Sequence, residues 1–185
     1  MMAARAPTPP EQMLRRLHIV QGEQCVSSDP GVVLSTLLGS CVAACMRDPV
    51  AGIGGINHFL LPGDGGRADS MRHGVHAMEL LVNALLRQGA RRERLEAKLF
   101  GGANLMRGLT DVGALNAAFA EDFLHREGIA HTGGSLRGDR GRRIQYWPLS
   151  GRARQVLLGT GEHPQFEGDH HIAPSQPTSG ALELF

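Results

Sequence analysis

Aromatic side chains are scarce in this chain. They make up 4% of its 185 residues, with one Trp and one Tyr, so the core must be built from aliphatic residues. The three cysteines, Cys25, Cys41 and Cys45, are too few and odd in number for a disulfide framework. A formal net charge of +1 excludes the strong electrostatic footprint of a dedicated nucleic-acid binder. No apolar run approaches the roughly 20 residues of a membrane span, so no direct membrane insertion is expected. Met1 to Gln12 carries Arg5 and three prolines but no apolar h-region of a signal peptide. A cytoplasmic, reducing setting follows as the expectation.

What is present fits one soluble domain: 42% hydrophobic residues, 20% charged, and 25 glycines for tight turns between short strands. Residues 1–16 read as a disordered Pro-rich lead, 17–159 as the folded domain, and 160–185 as a disordered tail of Pro, Gly, His and Ser. Strands are expected at Leu17–Val20, Cys25–Val26, Val32–Leu38, Cys41–Met46, Gly52–Leu60 and Ala97–Phe100. Ile129–Leu136 and Arg143–Leu149 read as a late hairpin, and Gln155–Leu158 as a last strand. Met71, Val75, Met78, Leu81, Val82, Leu85 and Leu86 recur at helical spacing, with Asp69 or Ser70 to start the helix and Gly89 to end it. A second helix begins after Thr110-Asp111, with Val112, Leu115, Phe119, Phe123 and Leu124 facing inward and Gly128-Ile129 closing it. The order gives an α+β fold with a mixed or antiparallel sheet core flanked by helices.

Two stretches concentrate the chemistry: Leu37-Leu38-Gly39-Ser40-Cys41-Val42 and Gly54-Gly55-Ile56-Asn57-His58-Phe59-Leu60-Leu61-Pro62. With a turn centred on Pro49 and Val50, Cys41 faces His58 across an antiparallel pair, where opposed Cβ atoms lie about 4.5–5.5 Å apart. A free cysteine is commonly a small buried hydrophobe. Here Gly39-Ser40 permits an unusual backbone just before the thiol, N–H groups freed at such a break can hold an oxyanion, and an imidazole sits opposite. That is the arrangement of a nucleophilic cysteine with His58 as general base. A third group should orient the imidazole. No carboxylate lies near enough, since Asp48 is at the turn, and the hydroxyls of Ser35 and Thr36 remain. Spacing does not choose between them.

Other features are weaker. Cys45 shares the Cys41 face but lies roughly 13 Å along the strand, too far for a disulfide. His73 and His76 read as a solvated helix flank. His163, His170 and His171 with Asp169 in the tail lack a defined tetrahedral set. Gly101-Gly102-Ala103-Asn104 lacks the Lys-Ser/Thr of a phosphate loop and reads as a turn, with a site-lining turn as second choice. Arg137, Arg140, Arg142, Arg143, Arg152 and Arg154 read as a solvated hairpin tip, or else as a docking patch for an acidic protein surface.

Leu38-Gly39-Ser40-Cys41-Val42, the Gly54–Pro62 stretch and Lys98-Leu99-Phe100-Gly101-Gly102-Ala103-Asn104 together resemble the chemoreceptor glutamine deamidases, the CheD family, over roughly Leu17 to Leu158. The resemblance implies a layered, sandwich-like fold similar to bacterial toxin deamidases, and a Cys-His-hydroxyl triad without metal or organic cofactor. It implies hydrolysis of selected glutamines of methyl-accepting chemotaxis receptors to glutamate with release of ammonia, as part of chemotaxis adaptation. Carried over, Cys41 is the nucleophile and His58 the base. The family's third member, usually threonine, lies six residues before the cysteine, which is Ser35 here, with Thr36 as the substitute. Some members bind a CheC-type phosphatase. Three competing readings stand beside this one. They are a non-catalytic module docking on receptors or a phosphatase, a receptor glutamyl methylesterase using the same triad, and a thiol redox protein using Cys41 and Cys45.

Overall fold

A computed structural model describes residues 14–63, 66–106, 110–159 and 182–185. Among these residues ten strands form two five-stranded sheets. The first sheet holds β1 (Arg15–His18), β3 (Val32–Leu38), β8 (Arg142–Trp147), β9 (Arg152–Leu157) and β10 (Leu182–Leu184), in that order. The second runs β2 (Gln24–Ser27), β5 (Ile53–Asn57), β4 (Val42–Asp48), β6 (Glu96–Gly101) and β7 (Ala130–Leu136). Pairing is antiparallel except for β1 with β3 and β6 with β7. The helices are α1 (Gly66–Arg87) and α2 (Val112–Arg126). The expected α+β class is what the structure has.

Strand alternation sorts the side chains into three layers. Leu34 and Leu38 of β3 and Ile144 and Tyr146 of β8 meet Ala43, Cys45, Ile56 and Phe100 between the sheets. On its other face the second sheet turns Val42, Ala44, Met46 and Leu99 toward Met78, Leu81, Val82 and Leu85 of α1 and Phe119, Phe123 and Leu124 of α2. The layers are therefore sheet, sheet and helix pair. Gly74 and Asn116, rather than the expected Val75 and Leu115, face inward; Val75 and Leu115 are exposed.

The helix ends obey local signals. Asp111 caps α2 by accepting the Ala114 N–H at 2.8 Å. Both helices close with the paired bonds of a Schellman motif: Ala90 N–H to Leu85 O and Gly89 N–H to Leu86 O after α1, Ile129 N–H to Leu124 O and Gly128 N–H to His125 O after α2. At the start of α1, Ser70 donates to the Pro62 carbonyl.

Five expectations need correction. The late segments do not form a hairpin: β7 lies beside β6 in the second sheet, and β8 lies between β3 and β9 in the first, because the chain changes layers at residues 137–141. The first helix starts at Gly66, which leaves Asp69 and Ser70 inside its first turns. Arg15 and Arg16, placed in the lead, belong to β1. Leu182–Leu184, placed in the disordered tail, pairs with β9, and Phe185 stacks edge-on against Phe100 with ring centroids 5.5 Å apart. Residues 1–13 of the lead and 160–181 of the tail, including His163, His170, His171 and Asp169, lie outside the described residues. The β4–β5 turn is also longer than expected. Asp48 pairs with Ile53, and its buried carboxylate accepts the N–H groups of Val50 (2.9 Å) and Ala51 (3.0 Å), which widens the turn. The register shifts by two residues. Because side chains alternate with a period of two, each keeps its expected face.

Candidate active site

With Cys45 opposite Ile56 and an isolated bridge between Val42 and Phe59, His58 lies across from Ala43. Cys41 is then its diagonal neighbour on the same face, still within reach of a long side chain. That face looks toward the first sheet, and there β3 supplies Thr36. Its fully buried hydroxyl donates to the Ile19 carbonyl at 2.7 Å and sits 2.9 Å from His58 Nδ1. A hydroxyl has one proton, and this one goes to Ile19. The Nδ1 position must therefore carry a hydrogen and donate to Thr36, which leaves the lone pair on Nε2. Nδ1 also lies 3.5 Å from the Ile19 carbonyl, which fits the same tautomer. Nε2 is buried and has no hydrogen-bond partner among the described residues. A basic nitrogen is thus held ready on the face that Cys41 shares.

Ser35 is on the wrong side of β3. The strand buries Leu34, Thr36 and Leu38 and turns Ser35 and Leu37 the other way. The expectation that favoured Ser35 over Thr36 is corrected by this alternation: the hydroxyl that reaches His58 is that of Thr36.

The backbone of His58 is clamped by the segment between β1 and β2. Its N–H donates to Glu23 O at 3.0 Å, and its carbonyl accepts the Gly22 N–H at 2.8 Å. The same segment brings Gln21 over the cysteine, where Cys41 Sγ–H donates to Gln21 Oε1 at 3.5 Å. No hydrogen bond joins Cys41 to His58.

Cys41 stands where the chain crosses from β3 in one sheet to β4 in the other. Gly101-Gly102-Ala103 braces this crossing: Gly102 N–H donates to Cys41 O at 2.8 Å and Ala103 N–H to Gly39 O at 2.9 Å. Gly101 has φ 107°, and a Cβ there would stand 2.1 Å from the Cys41 carbonyl oxygen, so no larger residue fits. The second-choice reading of this stretch as a site-lining turn is therefore its place in the structure. Asn116 of α2 adds a further brace. Its Nδ2 donates to Ser40 O at 2.8 Å and its Oδ1 accepts the Leu61 N–H at 2.9 Å. Sequence reasoning passed over both Gln21 and Asn116; the one available signal was a polar Asn in register with the apolar face of α2.

Burial sets the protonation of the pair. It raises the Cys41 thiol from 9.0 to about 11, against the smaller lowering effect of the residue's own backbone N–H. It lowers His58, opposed by the bond to Ile19 and helped by the nearby His18. The resting state is a neutral thiol beside a neutral imidazole, not an ion pair. Burial also pushes up Cys25 and Cys45, and all three cysteines are free thiols.

The late arginines do not form one surface patch. Arg142 is buried and staples the loop before β8, donating to Ser135 O at 2.7 Å, to Ser135 Oγ at 3.0 Å and to Arg137 O. Arg137 pairs with Glu121 at 2.7 Å, and Arg152 lies 3.9 Å above the Trp147 ring. His73 and His76 stand exposed on α1. Among the described residues no helix is long and apolar enough to cross a membrane.

A two-sheet sandwich backed by a helix pair, with the Thr36–His58 bond at the seam between the sheets and a thiol on the same face, defines an α+β protein. A family model described as CheD chemotactic sensory transduction matches residues 60–156. A probable chemoreceptor glutamine deamidase CheD of Acidiphilium cryptum is 62% identical over 92% of this chain and 94% of its own length. Proteins of the same description from Rhizobium meliloti and Caulobacter vibrioides are 55% and 54% identical, over 92% and 95% of this chain and 96% of their own lengths in each case. The chain belongs to the CheD family.

Proposed function

We propose that this chain is a protein-glutamine deamidase acting on chemoreceptors, and that Cys41, His58 and Thr36 carry the reaction. The observation that carries the reading is the bond between Thr36 Oγ1 and His58 Nδ1 (2.9 Å), which leaves a basic Nε2 on the cysteine's face. Membership of a family whose members bear that activity in their names supports the substrate.

The steps follow from the resting protonation. Nε2 takes the thiol proton as Sγ bonds to the side-chain Cδ of a substrate glutamine, and the carbonyl electron pair moves to oxygen. Backbone N–H groups at the Gly39–Cys41 crossing hold that oxyanion. The imidazolium gives its proton to the nitrogen, and the tetrahedral adduct collapses to a thioester and ammonia. Water then attacks, giving a proton to Nε2. Collapse releases glutamate, and the thiolate recovers its proton from His58. Thr36 holds the ring in one tautomer throughout. Its hydroxyl contributes no proton to the substrate.

The proposal places the reaction in the cytoplasm and, on the family resemblance, includes a CheC-type phosphatase as a binding partner, which co-purification would check. The main test is intact-mass spectrometry of a receptor cytoplasmic fragment incubated with the native chain or with Cys41→Ala. A gain of about one dalton per site with the native chain only is expected, because an amide becomes an acid through a thioester. Methanol release in place of ammonia would make it an esterase. Binding without any mass change would make it a docking regulator.

A further inference from the structure

We propose that Asn116 is a positioning residue that turns the Ser40–Cys41 peptide so that the Cys41 N–H faces the reacting carbonyl oxygen. The inference rests on the deamidase reading and names a part of its oxyanion site.

Asn116 is fully buried, and its carboxamide spends both ends on the segments next to Cys41 and His58. Nδ2 donates to Ser40 O at 2.8 Å, just before the thiol residue, and Oδ1 accepts the N–H of Leu61 at 2.9 Å, three residues beyond His58. One rigid group on α2 therefore ties the cysteine crossing to the histidine strand.

The consequence lies in the peptide plane. The Ser40 carbonyl and the Cys41 N–H belong to one trans peptide, and in a trans peptide the two point in opposite directions. Drawing the carbonyl toward α2 swings the N–H away from the helix. The residue's own N–H lowers the thiol pKa against the larger effect of burial, as a donor on the sulfur's side of the peptide does. Among the described residues no main-chain carbonyl accepts it. A donor held beside the nucleophile by the sulfur's own residue is where the oxygen of a tetrahedral adduct develops its charge. The packing that lets α2 reach this point is specific. A Cβ on Gly113 would lie 2.3 Å from the Ala103 carbonyl, and one on Gly102 would lie 2.8 Å from the Gly113 carbonyl.

The test uses Asn116→Ala, which removes both bonds, and Asn116→Asp, whose carboxylate still accepts from Leu61 but cannot donate to Ser40. Two readouts are taken on folded protein: kcat and KM for a receptor fragment, and the pH midpoint of Cys41 alkylation by iodoacetamide. In both variants kcat should fall about tenfold to a hundredfold with KM unchanged, as for a misaimed oxyanion donor. The alkylation midpoint should move to higher pH, because a misaimed N–H no longer favours the thiolate. Alkylation requires no glutamine turnover, so it decides the positioning role even if the chain deamidates no receptor. A native kcat and a native midpoint in either folded variant, with the loss confined to melting temperature, would overturn the proposal. If neither variant folds, the native chain is treated with a small aldehyde, which forms a tetrahedral hemithioacetal on Cys41. The Cys41 amide resonance should then shift, and an unmoved resonance would equally overturn the idea.

Discussion

Thr36 Oγ1 lies 2.9 Å from His58 Nδ1, although the two residues sit on different sheets of the sandwich. Removing the hydroxyl while keeping the shape, as in Thr36→Val, frees the ring to rotate and to change tautomer. Deamidation should drop about a hundredfold or more, the range of general base catalysis. Thr36→Ser should retain most of the rate. Ser35→Ala, on the opposite face of β3, should leave kcat within a factor of two of native, as expected for a site outside the network (roughly ±0.5 kcal/mol). Steady-state rates of the three variants check this, and equal losses for Ser35→Ala and Thr36→Val would contradict the geometry.

The pH profile has a predicted sign. His58 must be neutral to act, and burial holds its pKa below the ordinary value. The acid limb of kcat/KM should therefore fall below about 6.5, the usual imidazole value. Cys41, raised to about 11, should alkylate slowly at neutral pH and faster as pH rises toward that value. An alkylation limb near pH 4–5 would instead reveal a thiolate–imidazolium pair, as in strongly activated cysteines.

Asp48 anchors the β4–β5 turn. Beyond Val50 and Ala51, its carboxylate accepts the Arg91 N–H at 2.9 Å and pairs with Arg94 at 2.6 Å. Burial alone would raise its pKa, but Arg94 and the three backbone donors outweigh that and hold it well below the carboxylate range. The folded state thus favours the charged form. Its contribution is fully present above the unfolded pKa of about 4 and is lost as pH falls below that. Asp48→Ala should cost about 2–4 kcal/mol at pH 7 by leaving buried donors unpaired. Urea melts at pH 7 and pH 3 should show the native protein and variant converging in acid.

Phe185 closes the first sheet. Its N–H donates to Ala153 O at 3.0 Å, its carbonyl accepts from Ala153 at 3.1 Å, and its ring meets Phe100. Phe185→Ala should lower stability by about 1–3 kcal/mol, from lost burial and the ring pair. Activity per folded molecule should be unchanged, as thermal melts and rates measured on one sample would show.

Local signals were the legible ones. Asp111 at the start of α2 and Gly128-Ile129 at its end are short-range patterns, and the structure uses them as read. The pairing of Cys41 and His58 on one face was legible for a subtler reason: the Asp48 turn moved the register by two residues, and parity survives an even shift. The remainder depended on partners far along the chain. Whether Ser35 or Thr36 looks inward is decided by which face of β3 meets the second sheet. The burial of Arg142 is decided by carbonyls at Ser135 and Arg137, and the pairing of Leu182–Leu184 by an open edge on β9. Asn116 showed only as a polar residue in register with the apolar face of α2, and its partners at Ser40 and Leu61 lie more than fifty residues earlier.

The crossing at Gly39-Ser40-Cys41 divides the proposed catalytic parts between layers, with Thr36 on β3 of one sheet and Cys41 and His58 at the ends of β4 and β5 in the other. Neither sheet alone assembles a working hydrolase. In the proposed mechanism, a chain that has formed its hairpins but has not yet closed its two layers carries a thiol and an imidazole with no fixed tautomer, so the chemistry waits on one sheet docking against the other.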